Sequence, residues 1–326
     1  MVLPDALTLL AVLVVGFLVA GILSPFEALG WWAGWYGRHP EEEEHALALY
    51  PAEDAEGFVV FLSGIHSVSG AVYAEREIVF LERLRERLTD KIVVVDDIFP
   101  YSVTNRALTG QRLFAKFWRW ALKRKLSGPG LAGALINFRN IWQVAVSADS
   151  RYGPIYNQGS AEMIMRGLEL HGYEAGSGVP VTLIGYSGGG QIAVGAAPHL
   201  RSVLNAPISV VSLGGVISSD PGLLALEHLY HLYGRRDMVQ RTGNFLFPGR
   251  WPILPYSAWN QAKQKGVIKL IPMGPADHTG PKGYLDAESF LPNGLSYLDA
   301  TVETIARIVE SEELMAEELG PVVSFS

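Results

Sequence analysis

The sequence of 326 residues contains no cysteine. Disulfides, thiolate metal ligands and a cysteine nucleophile are therefore excluded. Positive charge is also scarce, with 26 Lys and Arg residues against 33 Asp and Glu residues and a formal net charge of −7. This balance argues against nucleic-acid binding by the chain as a whole, since such proteins need basic surfaces that pair with phosphates.

Two phosphate-binding patterns are missing from the glycine-rich stretch IGYSGGGQIAVGA, residues 184–196. G-x-G-x-x-G is absent in register, and no lysine follows the glycines as it would in a Walker loop. What the stretch does contain is G-x-S-x-G at 185–189, with Ser187 between glycines. The chain has 35 glycines, so this pattern can arise by chance and its meaning depends on its context.

Charged residues are missing from a long apolar run near the N-terminus, ALTLLAVLVVGFLVAGIL, residues 6–23. As a helix this run spans about 27 Å at about 1.5 Å per residue, close to the thickness of a bilayer core. Aromatic residues follow it as at a membrane interface, at Trp31, Trp32, Trp35 and Tyr36. A cleaved signal peptide fits less well, because no basic residue precedes the run. We predict a single-pass membrane anchor that contacts the bilayer through residues 6–23.

The anchor, the aromatic belt and the acidic run EEEEH at 41–45 form the first predicted unit, residues 1–45, and residues 46–326 form a globular domain. Consecutive like charges repel each other and stay hydrated, so the acidic run is predicted to be a solvated linker. Arg38 is the basic residue near the membrane end of this linker. By the positive-inside rule it favours a cytoplasmic domain.

From residue 46 the sequence alternates between two kinds of segment. Continuous apolar runs are typical of strands buried on both faces, whereas apolar residues every three or four positions indicate helices. The predicted strands are 57–65, 91–99, 179–185, 208–215, the end of 226–234, and 266–273, and the predicted helices are 73–88, 159–172, 189–200 and 298–315. This alternation predicts an α/β fold with a mostly parallel, doubly wound sheet.

Ser187 has the local context of a nucleophile elbow, because an apolar strand precedes Gly185 and a helix of small residues follows Gly189. In such a turn the serine hydroxyl is exposed, and side chains at the flanking glycines would collide across the turn. The helix N-terminus also places N–H groups and a positive dipole end beside the serine, which suits a developing oxyanion. An ordinary turn serine is the alternative.

An acid and then a histidine follow Ser187, in the order that a nucleophile elbow requires. His278 comes after the predicted strand 266–273, and Asp237 comes after the segment 226–234. Asp220, which precedes a proline in a turn, is the alternative acid. We prefer Asp237, and of the histidines only His278 fits the order well.

No metal site is predicted. His228 and His231 have the spacing of a metal-binding pair on a helix, but no third ligand motif accompanies them. We therefore interpret both histidines as structural residues.

The chain resembles the α/β-hydrolase superfamily in GYSGG at 185–189, YGRRDMV at 233–239 and GPADHTG at 274–280, and in strand order over residues 57–309. The resemblance implies a triad in which Ser187 attacks a carbonyl carbon, His278 transfers the proton and Asp237 orients the imidazole. It also implies an oxyanion hole made by the N–H of Gly188 and that of Ile65 or His66. The segment GIHSVSG at 64–70 lacks the HGGG run of many lipases, so the second donor stays open.

Residues 104–150 form an insertion in the hydrolase domain. Residues 106–148 contain eight Lys or Arg and no Asp or Glu. Within them, 112–125 predicts a helix with a basic stripe beside an aromatic face, formed by Arg112, Lys116, Arg119 and Lys123 and by Phe117, Trp118 and Trp120. Such a helix fits anionic lipid or an active-site lid, and the alternative of nucleic-acid binding is disfavoured by the apolar N-terminus. The glycine-rich segment 127–135 predicts a hinge or loop.

The sequence therefore predicts a membrane-anchored serine hydrolase that cleaves carboxylic esters with an apolar acyl part and needs no metal or organic cofactor. Thioesterases and acyltransferases use the same triad, so these activities stay open. The alternative is a non-catalytic α/β-hydrolase scaffold that acts as a membrane-bound binding or partner module.

Overall fold

The computed structural model describes residues 6–35, 54–69, 73–103, 123 and 131–310. The predicted basic helix at 112–125 lies outside these residues, except for Lys123, which is exposed. Tyr36, the acidic run at 41–45 and the predicted domain boundary at residue 45 also lie outside them.

Six parallel strands form the centre of the fold, in the spatial order β2-β1-β3-β4-β5-β6. They are β1 (Gly57–Leu62), β2 (Ile92–Val95), β3 (Val181–Tyr186), β4 (Ile208–Leu213), β5 (Leu229–Tyr233) and β6 (Ile268–Pro272). All residues of β1 are buried, as expected of a strand whose sheet is covered on both faces. The prediction of an α/β fold with a parallel sheet is confirmed.

Helices cover both faces of this sheet. In chain order they are α1 (Ala6–Trp32), α2 (Glu75–Arg87), α3 (Leu131–Ala148), α4 (Gly153–Leu170), α5 (Gly189–Leu204), α6 (Met238–Leu246), α7 (Ala258–Gln264) and α8 (Tyr297–Glu310). Apolar residues of α2 and α8 form one core with the sheet, and those of α1, α3, α4, α5 and α7 form a second core. The sheet is therefore enclosed by helices, which is the doubly wound arrangement.

The strand order reverses between β1 and β3. β2 lies on one side of β1, while β3 and all later strands lie on the other. In open parallel sheets such a reversal opens a crevice at the carboxyl ends of the strands, and ligands bind there. The loop after β1, residues 63–69, and the turn after β3 at Ser187 border this crevice, so the fold brings two predicted site segments together.

One side of α1 packs on α3. A Cβ added at Gly21 would lie 2.6 Å from the indole ring of Trp142, so the two helices approach closely at this glycine. The ring centroids of Phe17 and Trp142 are 4.9 Å apart, and the indole N–H of Trp142 donates to the Phe17 carbonyl at 2.8 Å. α1 is therefore part of the packed structure and not a detached helix.

The same packing corrects one prediction. The glycine content of 127–135 predicts a hinge or loop, which is wrong from Leu131 onwards, because that residue begins α3. The Leu135 side chain lies 3.0 Å from where a Cβ at Gly16 would be, so this first part of α3 is fixed against α1. Tertiary contact overrides the local preference of the glycines.

The other side of α1 is apolar and exposed, at Val14, Val15, Leu18, Val19, Ile22, Leu23 and Phe26. Among the described residues, α1 is the one helix that is long and apolar enough to cross a membrane, in the window Val14–Trp32. The predicted aromatic belt divides in the structure. Trp31 is half-buried against the core, whereas Trp32 and Trp35 are exposed.

We expect Gly21→Val to lower the Tm of the detergent-solubilised protein, because overpacking of a close contact costs about 1–3 kcal/mol. Ile22→Ala changes the exposed neighbour and is the control, with an expected effect within about 0.5 kcal/mol. Thermal unfolding followed by intrinsic tryptophan fluorescence measures both. Equal Tm values for the two variants would contradict the packing of α1 on α3.

Candidate active site

Ser187 lies at a sharp turn between β3 and α5. Its backbone has φ 53°, in the left-handed region that non-glycine residues seldom adopt. A Cβ at Gly185 would lie 2.5 Å from the backbone of Gly190, and one at Gly189 would lie 2.4 Å from the Leu62 carbonyl oxygen. Since no side chain tolerates such distances, the turn itself requires both glycines of the G-x-S-x-G pattern.

The structure brings Ser187, His278 and Asp237 together. His278 Nε2 lies 2.9 Å from Ser187 Oγ, and His278 Nδ1 lies 2.8 Å from Asp237 Oδ2. Because an ionised carboxylate can only accept, Nδ1 carries the imidazole proton and Nε2 accepts from the serine hydroxyl. Each side chain follows a strand of the sheet, β3 for the serine, β5 for the acid and β6 for the histidine. The arrangement can transfer a proton from Ser187 to His278.

The Asp237 carboxylate is fully buried and held by several donors. Besides His278, the Tyr284 hydroxyl donates to Oδ2 at 2.7 Å, and the backbone N–H of Gln240 donates to Oδ1 at 2.8 Å. Tyr284 is itself fixed, since its hydroxyl accepts from the N–H of Gly234 at 2.7 Å. Burial raises the pKa of Asp237, but His278 and these donors outweigh it and lower the pKa below its ordinary value. The carboxylate therefore stays charged beside the imidazole.

Asp220, the alternative acid, is engaged elsewhere. Its carboxylate caps the 3-10 helix Pro221–Ala225, where it accepts from the N–H of Gly222 at 2.8 Å. It also accepts from Gln191 Nε2 at 3.0 Å. Within the described residues the structure gives His278 a hydrogen bond to Asp237 and none to Asp220.

Gly188 begins the turn into α5 beside the loop that follows β1. A Cβ at Gly188 would lie 2.6 Å from Val144 Cγ2, 2.9 Å from Ile65 Cγ2 and 3.1 Å from the Tyr101 hydroxyl. A larger residue at this position would have to displace these side chains. Among the described residues, the N–H groups of Gly188 and Ile65 have no hydrogen-bond acceptor. The N–H of Gly188, at the N-terminus of α5, and the N–H of Ile65, in the facing loop, can both donate to a negatively charged oxygen.

The loop at 63–69, which we call the oxyanion loop, is held from one side by Glu77. This buried carboxylate accepts from the N–H of Gly64 at 3.3 Å and from His66 Nε2 at 3.0 Å. It also accepts from the N–H of Ala74 at 3.3 Å, at the start of α2. The His66 ring is thus paired with Glu77. Ile65 is the candidate second donor, because its backbone N–H has no acceptor among the described residues.

A cavity of about 130 Å³ lies beside the oxyanion loop. Its lining includes His66, Ala74, Arg76, Glu77, Tyr186, Thr279, Gly283 and Leu285. The hydroxyl of Tyr186 donates to the His278 carbonyl oxygen at 2.8 Å, and its ring stacks on the imidazole. Tyr186 thus lies between the cavity and the His278 ring and holds the loop that carries His278.

A second Ser–His pair lies in the core next to the triad. The ring nitrogen Nδ1 of His231 is 3.0 Å from Ser212 Oγ, and Gln240 Nε2 lies 2.8 Å from His231 Nε2. An amide NH2 group only donates, so His231 Nε2 accepts and Nδ1–H donates to the serine hydroxyl. Ser212 and His231 are buried, at 0% and 1% exposure, and cannot meet a substrate. The pair fixes Gln240, whose backbone N–H in turn holds Asp237.

Sequence reasoning missed these supporting residues. Glu77 had a signal, because it stands three residues after Ala74 at a helix start, where a glutamate commonly caps. Gln240 also had a signal, as the third residue after a capping Asp237. Tyr284 and Tyr186 had none, since their roles come from contacts across the fold.

Comparison with protein-family models finds no match, and searches of curated proteins and of solved structures find none either. The function of the chain is therefore inferred from the geometry of this site.

The buried pair of Ser212 and His231 leads to a prediction about acid stability. Burial, with a smaller effect of Arg250, lowers the pKa of His231 from 6.5 to about 3. As pH falls from 6.5 towards 3, the unfolded chain takes up a proton on His231 that the folded chain does not, so stability decreases in this window. We expect His231→Gln to flatten this part of the stability profile and Ser212→Ala, which keeps the histidine, to preserve it.

Denaturant unfolding at a series of pH values measures this effect. Identical slopes between pH 6.5 and 4 in His231→Gln and in the unsubstituted protein would contradict a buried neutral His231.

Proposed function

We propose that this protein is a membrane-attached serine hydrolase of the α/β-hydrolase type that cleaves carboxylic esters. The observation that carries the proposal is the pair of hydrogen bonds that join Ser187 to His278 and His278 to Asp237, at 2.9 and 2.8 Å. A nucleophile aligned with a base that is itself oriented by a third group is the geometry of covalent catalysis. An ordinary turn serine needs neither partner.

In the proposed reaction, Ser187 Oγ attacks the carbonyl carbon of the ester while its proton passes to His278 Nε2. Asp237 stabilises the imidazolium that forms. The carbonyl oxygen becomes an oxyanion, which accepts hydrogen bonds from the N–H of Gly188 and of Ile65. His278 then gives its proton to the leaving alcohol as the carbon–oxygen bond breaks, which leaves an acyl group on Ser187. Water, deprotonated by the same imidazole, attacks this acyl group. His278 then returns the proton to Ser187 Oγ as the bond between Oγ and the acyl carbon breaks and a carboxylic acid is released.

The architecture supports assignment to the α/β-hydrolase type. The serine stands on a sharp turn from strand to helix in a parallel, doubly wound sheet. The acid and the histidine come later in the chain, in the order Ser, Asp, His, which that fold uses. The site also lies at the reversal of strand order, where open parallel sheets bind ligands.

The proposal is tested with a fluorophosphonate probe, which forms a covalent adduct with an activated serine. We expect labelling of the detergent-solubilised protein and none of Ser187→Ala or His278→Ala, because the first lacks the nucleophile and the second lacks the base. Ser202→Ala is the matched control, since it removes an exposed serine of α5 whose hydroxyl donates to the His199 carbonyl oxygen, away from Ser187 and its partners. Its labelling should equal that of the unsubstituted protein.

Failure of the folded, unsubstituted protein to react with the probe would favour a non-catalytic scaffold. Labelling that persists in Ser187→Ala would place the reactive serine elsewhere. If labelling follows the expected pattern, an ester series of increasing acyl length tests the preference for an apolar acyl part, and thioester and acyl-transfer assays separate the related activities.

We further propose that α1 attaches the enzyme to the bilayer through its exposed apolar side. Its 27 residues extend about 40 Å at about 1.5 Å per residue, enough to cross a bilayer core. A row of exposed large apolar residues on one side of a helix is unfavourable in water and favourable against lipid. Lipid contact would place the active site close to esters with long acyl chains. Anionic lipid is the proposed partner of the basic segment 112–125, which the sequence predicts to be helical.

We expect the double variant Val15→Asp and Ile22→Asp to shift the protein from the membrane fraction to the supernatant in alkaline carbonate extraction. A carboxylate in the apolar centre of a membrane helix costs about 2.5–3.5 kcal/mol. Val203→Asp places one carboxylate on an exposed valine of α5, where no lipid contact is proposed, and should stay in the membrane fraction. Equal extraction of the two variants would contradict the proposed lipid contact.

A further inference from the structure

α3 supports both donors of the proposed oxyanion hole. Asn140 is fully buried, and its Nδ2 donates to the carbonyl oxygens of Ile65 at 2.7 Å and Ser67 at 2.8 Å. One turn further along α3, Val144 lies against Gly188. The oxyanion loop and the turn that bears the nucleophile therefore both rest on the same side of one helix.

The neighbouring residue of α3 binds α1. The guanidinium of Arg139 forms an ion pair with Glu27 of α1 and donates to the carbonyl oxygen of Tyr101. Arg139 also donates to Asn140 Oδ1 at 3.1 Å. Gln143 Nε2 donates to Glu27 Oε2 at 3.3 Å. A continuous series of hydrogen bonds thus runs from α1 through Arg139 and Asn140 to the oxyanion loop.

Tyr101 provides a second connection. Its carbonyl accepts from Arg139, and its hydroxyl donates to the carbonyl oxygen of Ser63 at 2.8 Å, at the start of the oxyanion loop. Tyr101 is fully buried and its hydroxyl also faces the position of Gly188. The backbone of the loop is therefore held at Ser63, Ile65 and Ser67.

Glu27 is the only ionisable residue of α1. A helix whose sole role is contact with lipid needs no carboxylate, and an unpaired charge in an apolar setting is costly. The Glu27 and Arg139 side chains are only 15% and 8% exposed, so the pair lies in the interface between α1 and α3. Its position there points to a specific function in the docking of α1.

We propose that Glu27 and Asn140 are positioning residues, which make the apolar helix α1 part of the support of the oxyanion hole. Docking of α1 through the Glu27–Arg139 pair orients Asn140, and Asn140 holds the oxyanion loop against Gly188. The catalytic consequence rests on the function proposed above, whereas the coupling between α1 and the loop does not.

Hydrogen–deuterium exchange of the full chain in detergent tests the coupling without any substrate. We expect Glu27→Gln and Asn140→Ala to accelerate exchange in peptides that cover residues 63–69 by about tenfold, because the loop loses its fixed position. Glu303→Gln is the matched control. It removes a carboxylate of α8 that pairs with Arg87 of α2 and with Arg307 of α8, and it should leave exchange of this loop unchanged.

Ester turnover by the same variants provides the catalytic readout. We expect kcat to fall by about 10- to 100-fold with little change in KM, because a displaced donor weakens stabilisation of the transition state and not binding of the substrate. The effects of the two substitutions on kcat, expressed as free energies, should be less than additive, since both residues act in one series of contacts. Glu27→Gln keeps the shape of the side chain and one oxygen acceptor for Arg139, so the fold should be retained.

Unchanged exchange of residues 63–69 in both variants overturns the inference, whether or not the unsubstituted protein hydrolyses esters. Accelerated exchange in a protein without ester turnover supports the coupling and overturns the proposed function instead. Accelerated exchange together with a loss of kcat supports both.

Discussion

The buried charge of Asp237 is the constraint on which the site depends. A carboxylate out of contact with water is stable only when donors surround it. The structure supplies them from His278 and Tyr284, both in the segment after β6, and from Gln240 of α6. Satisfying this one charge fixes the end of β5, the start of α6 and the loop after β6 relative to one another. The imidazole is then held in the orientation in which its free nitrogen meets Ser187.

The parallel sheet provides the second requirement, which is a place where these segments meet. The carboxyl ends of β3, β5 and β6 lie at the same edge, so residues far apart in sequence converge there. The reversal of strand order between β1 and β3 opens the crevice beside Ser187 and brings the oxyanion loop to it. On this account α3 and the apolar helix α1 that packs on it extend the support of the site.

Much of this arrangement could be predicted from sequence, because its signals are local. Continuous apolar runs mark the buried strands, and the glycines around Ser187 mark a turn that only glycine permits. Asp237 and then His278 follow Ser187 in the chain, each after a predicted strand, and this order indicated the two partners of the serine. The supporting residues Tyr284 and Asn140 could not be predicted, since each contacts a segment distant in the chain. The prediction of a loop at the glycine-rich segment 127–135 was wrong for the same reason. Its last residues are helical because they pack against α1, which is distant in the chain.

The structure of the protein with a phosphonate bound covalently at the active site is the most direct test of the central claim. The account predicts a bond from phosphorus to Ser187 Oγ, with the phosphonyl oxygen within hydrogen-bond distance of the N–H groups of Gly188 and Ile65. His278 should keep its hydrogen bond to Asp237. A phosphonyl oxygen directed away from both N–H groups, or a phosphonate on another residue, would contradict the account.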